Sequence, residues 1–151
     1  MLYFVKKRAL TQRTRDIFQR IGGEMDTSET YIKMCEKAKE IQAQHILENG
    51  DFELRFKYGK GQVEVHHHRE ITAHYKPENH LWLPRQDQLQ EMMPKAGLEY
   101  LFYWTMAKDR DGWYKREYTQ QFTSFEQLWL AFVMKEKYNK ILGGENWIKE
   151  S

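Results

Sequence analysis

The sequence predicts a small α+β domain, in which a mainly antiparallel sheet packs against two longer helices and one short helix. Two observations support this fold class. Apolar residues recur at helical spacing in segments 28–45 and 124–138, whereas they alternate with polar residues in segments 52–58 and 63–75. The chain has 151 residues, of which 40% are hydrophobic, and this is enough for one hydrophobic core. We therefore predict a single domain over residues 25–151.

The central element is a helix predicted over Ser124–Tyr138. The Ser124 hydroxyl can cap this helix, and Gln127 can return a hydrogen bond to the Ser124 amide, which would complete a capping box. Apolar residues then surround the helix and leave no polar face in its middle turns; they are Phe125, Leu128, Trp129, Leu130, Ala131, Phe132, Val133 and Met134. A helix that is apolar nearly all round must be buried, so we expect the rest of the chain to cover it.

A second, amphipathic helix is predicted from Ser28 to His45. Its apolar side is formed by residues at three- and four-residue steps, namely Tyr31, Met34, Cys35, Ala38 and Ile41. Cys35 is the single cysteine, which excludes an internal disulfide and a cysteine-based zinc site and fits a reducing cytoplasm. Because it lies on the apolar side, we interpret it as a buried hydrophobic side chain rather than a catalytic thiol.

Between these helices the sequence predicts a β-hairpin. Phe52–Tyr58 alternates in strict period two and is typical of a half-buried strand, and Gly59-Lys60-Gly61 supplies the turn. The second strand runs over residues 63–75, with a bend near Arg69. A short helix is then predicted over Arg85–Met93.

The last part of the chain is predicted from its aromatic residues and glycines. Leu98–Ala107 is interpreted as a strand, with a short buried helix as the alternative, and Trp113–Phe122 as the returning partner of that strand. Gly143-Gly144 is expected to end the structure, and Trp147 with Ile148 to fold back onto the core.

Residues 1–24 form a basic leader outside the predicted domain. Its charged residues are six basic and two acidic ones: Lys6, Lys7, Arg8, Arg13, Arg15, Arg20, Asp16 and Glu24. Three interpretations compete, namely a basic arm for nucleic acid, a transit peptide, and a non-native upstream extension with the true start at Met25. The last rests on coding, because Gly22-Gly23-Glu24-Met25 can be encoded as a purine-rich ribosome-binding sequence followed by a start codon.

The total charge and the length of the apolar runs indicate which partners and which location are expected. The 24 basic residues nearly balance the 22 acidic ones, so the total charge is a weak argument for a polyanionic partner. No apolar run approaches the ~20 residues of a membrane span. We expect a soluble protein of the cytoplasm.

Histidines give a first candidate site. His66, His68 and His74 lie on the polar side of the predicted second strand with Glu64 and Glu70, where side chains two residues apart project to the same side about 7 Å apart. Two imidazoles and a carboxylate can hold zinc or iron. The alternative is a solvated strand face that is rich in histidine.

The segment from Leu81 to Gln90 gives a second candidate, a contact for a protein partner. It contains the candidate contact residues Trp82, Arg85, Gln86, Asp87 and Gln88. A cation, a carboxylate and two amides after a rigid proline can form an edge that recognises a partner. In the alternative, Asp87 favours the dipole of a helix N-terminus, and Arg85 is solvated or pairs with a neighbouring carboxylate.

A third candidate is a surface for single-stranded nucleic acid within residues 98–118, where cations and aromatic rings alternate. Its candidate residues are Lys108, Arg110, Trp113, Lys115 and Arg116. The alternative interpretation places most of these rings in the core.

Motifs of known catalytic sites are missing from the sequence. There is no glycine-rich phosphate loop, no Gly-x-Ser-x-Gly turn, no cysteine pair and no His-Glu-x-x-His helix. An enzyme is therefore the minority interpretation, and no cofactor is expected.

Two segments resemble a known group. HLWLPRQDQLQEMM at 80–93 and SFEQLWLAFVMKEKY at 124–138, together with the helix that contains Tyr31–Gln42, resemble small uncharacterised proteins encoded in phages and prophages of Gram-positive bacteria. The resemblance covers about residues 28–148, although Leu142 stands where that group has an aromatic. It implies a phage or prophage origin and no particular activity. With the missing catalytic motifs, it favours an accessory protein that binds a protein partner, and a nucleic-acid-binding module is the alternative.

Overall fold

The structure is a computed structural model, and it describes residues 24–57, 60–66, 79–93, 101 and 118–151. Its named elements are, in chain order, α1 (Glu29–Lys37), α2 (Lys39–Gln44), β1 (Phe52–Lys57), β2 (Lys60–Val65), β3 (His80–Leu83), α3 (Gln86–Glu91), α4 (Phe125–Tyr138), β4 (Lys140–Gly143) and β5 (Asn146–Lys149). One sheet has the strand order β2-β1-β3, the other is the pair β4-β5, and the pairing is antiparallel in both. The predicted α+β class is confirmed.

Helix α4 is the centre of the core, as its sequence predicts. The residues from Gln127 to Met134 are all buried, one after another. Ser124 caps the helix, and its Oγ accepts a hydrogen bond from the Gln127 amide at 3.1 Å. The predicted hydrogen bond between the Ser124 amide and the Gln127 side chain is wrong, because that side chain accepts from the Thr123 amide at 3.1 Å instead. Asn139 ends the helix with a left-handed backbone, at φ 53°.

The N-terminal end of the described chain is tied to the cap of α4. Asp26 accepts hydrogen bonds from the Ser124 hydroxyl and from the Gln127 amide group, and its other oxygen accepts from the Ser28 amide at 2.9 Å. Burial acts to raise the pKa of Asp26, but these hydrogen bonds outweigh it and leave the pKa below its ordinary value. Met25 packs against the core beside this junction.

The amphipathic segment 28–45 forms two helices rather than the single predicted one. The chain leaves helical geometry at Ala38 (φ −80°, ψ 64°), where α1 ends and α2 begins. All five residues of the predicted apolar side are buried, so the predicted orientation is confirmed. Alanine favours helix more than any other residue, so local propensity does not cause the break.

The break coincides with a contact between α2 and the edge of the larger sheet. The Gln42 side chain of α2 donates to the Trp82 carbonyl at 2.9 Å and accepts from the Trp82 amide at 3.1 Å. These are the two backbone groups that a further strand would pair with. Gln42 therefore covers β3 at this point, and the Tyr31 hydroxyl does the same for the Pro84 carbonyl at 2.5 Å.

Strands β1 and β2 confirm the predicted hairpin within the described residues. Phe52 pairs with Val65 and Leu54 pairs with Val63, while β3 pairs along the other side of β1. Residues 58–59, and the rest of the predicted second strand with its bend near Arg69, lie outside the described ranges.

Strands β4 and β5 correct the prediction for the C-terminal segment. Gly143 and Gly144 do not end the structure but lead into the hairpin turn, where Gly144 adopts a positive φ of 66°. Trp147 folds back as predicted, and its indole N–H donates to the Met34 carbonyl at 3.0 Å. Ile148 does not, because alternation along the strand places it on the outer face, where about half of its surface is exposed.

The aromatic segment 98–122 lies mostly outside the described ranges. Leu101 and Phe122 are buried in the core. Leu101 and residues 118–120 are helical, so the predicted strand and its returning partner are wrong at these residues. The Tyr118 hydroxyl accepts a hydrogen bond from the Leu142 amide at 2.8 Å and so covers the outer edge of β4. In the described part of the chain, no helix is both long enough and apolar enough to cross a bilayer.

Candidate functional site

The predicted partner segment begins with a buried tryptophan. Trp82 is 3% exposed and belongs to the hydrophobic core, and its ring stacks on His45. Its place in the predicted contact surface is therefore corrected. The exposed part of the segment begins after Pro84.

Arg85 and Asp87 form an ion pair at the start of α3. The Arg85 Nε and Nη2 groups donate to the two Asp87 carboxylate oxygens, each at 3.1 Å. The Arg85 amide donates to Gln88 Oε1 at 2.9 Å. The hydrogen bond with Arg85 holds the pKa of Asp87 below its ordinary value. Arg85 thus pairs with a neighbouring carboxylate, as the structural alternative predicts.

Arg85 also reaches across to the loop that joins α2 to β1. Its Nη1 group donates to the Gly50 carbonyl at 3.0 Å. Gly50 has φ 95°, a conformation that glycine adopts without strain, and its amide donates to the His66 carbonyl at 2.9 Å. The loop at residues 45–51 is therefore held from two sides, by α3 and by the end of β2.

The Asp51 carboxylate is the centre of this loop. One oxygen accepts hydrogen bonds from His45 Nε2 at 2.6 Å and from the Glu48 amide at 2.8 Å, and the other accepts from Gln88 Nε2 at 2.5 Å. Burial acts to raise the pKa of Asp51, but these hydrogen bonds outweigh it and leave the pKa below its ordinary value. Asp51 is therefore ionised at neutral pH, and the His45 nitrogen that faces it donates.

Two contacts hold His45, namely its bond to Asp51 and the stacking of its ring on Trp82. Its ring stacks on Trp82, with a centroid distance of 3.4 Å and an interplanar angle of 10°. Trp82 thus supports the loop from below.

These bonds place Ile46 at the surface. Ile46 is 83% exposed, whereas Leu47 is buried beside it and anchors the loop. The loop that carries Ile46, and α3, which bonds to this loop at Asp51, carry charged side chains. We call Ile46, Glu48, Arg85, Asp87 and Glu91 the Ile46 surface.

The Ile46 surface carries more negative than positive charge in the described structure. Glu48, Asp87 and Glu91 are exposed, and the buried Asp51 accepts hydrogen bonds from the Glu48 amide and from the Gln88 side chain. The hydrogen bond with Asp87 raises the pKa of Arg85 above its ordinary value, and the charges of Asp51 and Glu91 add to this effect.

A second polar cluster is centred on Glu53 of β1. Glu53 accepts from His80 Nδ1 at 2.7 Å and from Arg55 Nη2 at 2.8 Å, and His66 Nδ1 lies 3.4 Å from it. Glu53 is 0% exposed, whereas Phe56 on the opposite face is about half exposed. The prediction of a half-buried strand with a solvated polar side is therefore wrong here.

The histidine candidates are only partly described. His66 is buried and contacts Glu53 and the backbone of Asp51, while His68 and His74 lie outside the described ranges. Within the described part, no group of three or more histidine, cysteine, aspartate or glutamate residues could hold a metal ion. His66 itself contributes to the packing of the polar face.

The nucleic-acid candidates cannot be placed in this structure. Lys108, Arg110, Trp113, Lys115 and Arg116 lie outside the described ranges, as does the basic leader up to residue 23. That alternative stays a prediction.

Cys35 has the predicted character of a structural residue. It is fully buried, and burial raises the pKa of its thiol well above the ordinary value, so the thiol stays protonated at neutral pH.

Sequence reasoning missed the loop that carries the candidate surface. Asn49-Gly50-Asp51 indicated only the end of a helix, and His45 and Ile46 belonged to no candidate. The available signal was an aspartate that follows glycine in a turn, since such side chains often accept hydrogen bonds from nearby backbone amides. Its partners Arg85 and Gln88 lie more than 30 residues away in the sequence.

Comparisons with protein-family models, with curated proteins and with solved structures find no match for this chain.

Proposed function

We propose that this chain is a phage or prophage accessory protein that acts in the cytoplasm of a bacterial host cell by binding a protein partner, without catalysis. The observation that carries this proposal is the exposure of Ile46, at 83%, on a loop that hydrogen bonds hold in one conformation. The Ile46 surface is the proposed contact.

A fixed loop favours binding because little conformational entropy remains to be lost on association. Asp51 binds His45 Nε2 and the Glu48 amide, which lie on either side of Ile46 in the chain, and Arg85 binds the Gly50 carbonyl. An isolated exposed apolar residue is common on protein surfaces. An apolar side chain that is both exposed and preorganised is what an interface anchor requires.

The segment that resembles phage and prophage proteins supports the same proposal. Within residues 80–93, Arg85 and Gln88 bond the loop directly, and Trp82 supports His45. The part of the chain with the distinctive sequence is therefore the part that shapes the Ile46 surface.

Charge argues against nucleic acid as the partner at this surface. Glu48, Asp87 and Glu91 outnumber Arg85, and a phosphate backbone would be repelled. The nucleic-acid alternative would need the cations of residues 98–118, at another place on the protein.

Site-specific photo-cross-linking tests this proposal. A benzophenone amino acid replaces Ile46 in the full chain, and in a matched control it replaces Ile148, the half-exposed isoleucine of the separate sheet. Both proteins are produced in the bacterium that carries the gene, irradiated, and purified with and without nuclease. We expect a protein adduct at position 46 that survives nuclease and is absent at position 148.

Two results would overturn the proposal. One is the absence of any adduct at position 46 above the level at position 148. The other is an adduct that nuclease removes, because it would show that nucleic acid carries the association.

A further inference from the structure

We infer that two copies of this chain form a dimer in which their β2 strands pair antiparallel about a two-fold axis at Val63. The larger sheets of the two copies then continue into one sheet. This dimer contact is separate from the Ile46 surface. The inference follows from the free edge of β2, from exposed apolar side chains beside that edge, and from a strand sequence that complements itself.

The outer edge of β2 carries a row of backbone groups that are free in the described structure. The His66 amide donates to the Asp51 carbonyl at 2.7 Å, so this position faces β1. Backbone groups alternate in direction along a strand, and therefore those of Gly61, Val63 and Val65 point away from β1. They have no hydrogen-bond partner among the described residues. Such a row can pair with another strand.

The opposite edge of the same sheet is covered. Gln42 binds both the amide and the carbonyl of Trp82, and the Tyr31 hydroxyl donates to the Pro84 carbonyl. A further strand can therefore join this sheet at β2 but not at β3. A sheet that extends in one direction only, by pairing with its own copy, gives a closed dimer rather than a fibre.

Apolar side chains are exposed beside the free edge. Phe56 is 48% exposed and Val65 is 40% exposed. Both lie on the face of the sheet that also carries Leu54 and Val63, because cross-strand partners share a face. The Phe56 ring leans towards β2, where its Cε1 atom would lie 3.3 Å from a Cβ atom at Gly61. A second β2 strand would cover this exposed apolar surface.

The two-fold axis at Val63 brings complementary side chains together on the apolar face. Val63 lies opposite its own copy, and Val65 lies opposite Gly61 of the partner subunit. Because Gly61 has no side chain and Phe56 leans over it, Val65 of one copy can pack against Phe56 of the partner subunit. Each half of the contact therefore buries the exposed residues of the other half.

The same register pairs opposite charges on the polar face. Gln62 lies opposite Glu64 of the partner subunit, so an amide donor meets a carboxylate that also binds Arg55 of its own chain. Lys60 is exposed and lies diagonally from the same carboxylate. The two-fold axis repeats both pairs, and no like charges lie directly opposite each other among Gly61–Val65.

Sedimentation equilibrium of the full chain over a range of protein concentrations tests the dimer. We expect wild type to associate to a dimer and Val65→Lys to dimerise at least about tenfold more weakly, because a charged side chain at the edge opposes strand pairing. Ile148→Lys is the matched control, since it makes the same change in charge at a half-exposed position of β5 and should dimerise like wild type. Circular dichroism checks that both variants are folded. A wild-type chain that stays monomeric, or a Val65→Lys dimer as strong as wild type, would overturn the inference.

A disulfide across the axis tests the register, and it decides the question if Val65→Lys does not fold. The Cα atoms of a hydrogen-bonded antiparallel pair lie about 5.5 Å apart, a distance that a disulfide can span. We therefore expect oxidised glutathione to link two copies of Val63→Cys, whereas Ile148→Cys should stay unlinked on a non-reducing gel. Linkage of Val63→Cys no faster than that of Ile148→Cys would contradict pairing at β2.

Discussion

Helix α4 and the polar face of the larger sheet are both buried, but different interactions bury them. In α4 the apolar side chains from Leu128 to Met134 pack in all directions, and no particular partner is needed. On the sheet, Glu53 and Asp51 are equally hidden, and each requires specific donors at 2.5–2.8 Å. Apolar burial depends on volume, whereas polar burial depends on the position of each partner.

This difference also separates stability from function in the molecule. The α4 core fixes the fold, and the Asp51 cluster fixes one loop and the exposed side chain that it carries. Substitutions at apolar and at polar buried positions therefore distinguish the two kinds of burial.

The largest loss of stability is expected for Glu53→Ala. This change removes a fully buried carboxylate that binds the side chains of His80 and Arg55. It should lower the free energy of unfolding by about 3–5 kcal/mol. Glu64→Ala is the matched control, because Glu64 also binds Arg55 but is partly exposed; it should cost at most about 1 kcal/mol. Urea unfolding measures both, and equal losses would refute the distinct role of Glu53.

The central helix should tolerate a change of shape but not a loss of volume. Leu130 is fully buried, so Leu130→Ala should lower the free energy of unfolding by about 2–5 kcal/mol. Leu130→Met keeps the volume and should cost less than about 1.5 kcal/mol. If thermal and urea unfolding gave the same loss for both variants, packing volume would not be what stabilises α4.

A smaller loss of stability is expected when the edge of β3 loses the side chain that covers it. Gln42→Ala leaves the Trp82 amide and carbonyl without their partner, and we expect it to lower the free energy of unfolding by about 1–3 kcal/mol. The exposed edge should also promote self-association, which light scattering would detect. Gln44→Ala, on the same helix, removes only an exposed bond to Tyr138 and should change neither property. Normal stability of Gln42→Ala would contradict the role assigned to this side chain.

The pH dependence of stability should follow two aspartates, the buried Asp51 and the half-buried Asp26. The folded pKa values of Asp26 and Asp51 are lowered, so their contribution is fully present above the unfolded pKa of about 3.9 and is lost as pH falls through the folded values. Asp51→Asn should be less stable than wild type at neutral pH and should lose less stability on acidification. Urea unfolding between pH about 7 and about 3 checks this. Parallel pH profiles would contradict it.

The smallest effect is expected at Cys35, where a protonated, buried thiol should not react. Iodoacetamide should modify the folded chain far more slowly than the chain unfolded in urea. Mass spectrometry over time measures both rates. Rapid labelling under native conditions would place Cys35 at the surface and contradict its packing beside Tyr31.

The apolar parts of this fold could be predicted from the sequence, because apolar burial leaves a periodic pattern. The pattern predicted α4 with its Ser124 cap, the buried side of α1 and α2, and the β1–β2 hairpin. It could not predict the break at Ala38, because no residue there disfavours helix. It also could not predict the β4–β5 pair, because strands of four residues are too short to show a period.

The candidate site was predicted only in part, for the same physical reason. Arg85 to Gln88 were singled out by their residue types, but their partners Gly50 and Asp51 are distant in the sequence. The alternation of apolar and polar residues predicted that Glu53 faces solvent. A period of two shows that a strand has two different faces, but it does not show whether both faces are covered. Trp82 was assigned to the surface, although it supports His45 from the core.

Serine variants of two exposed isoleucines show whether a partner contacts Ile46. Ile46→Ser and Ile148→Ser both change an exposed side chain, and each should alter the free energy of unfolding by no more than about 0.5 kcal/mol. The partner identified at position 46 should bind Ile46→Ser about 10- to 100-fold more weakly, as expected from the burial of one isoleucine, and should bind Ile148→Ser like wild type. Equal affinity for the two folded variants would contradict the claim that the Asp51 cluster presents Ile46 to a partner.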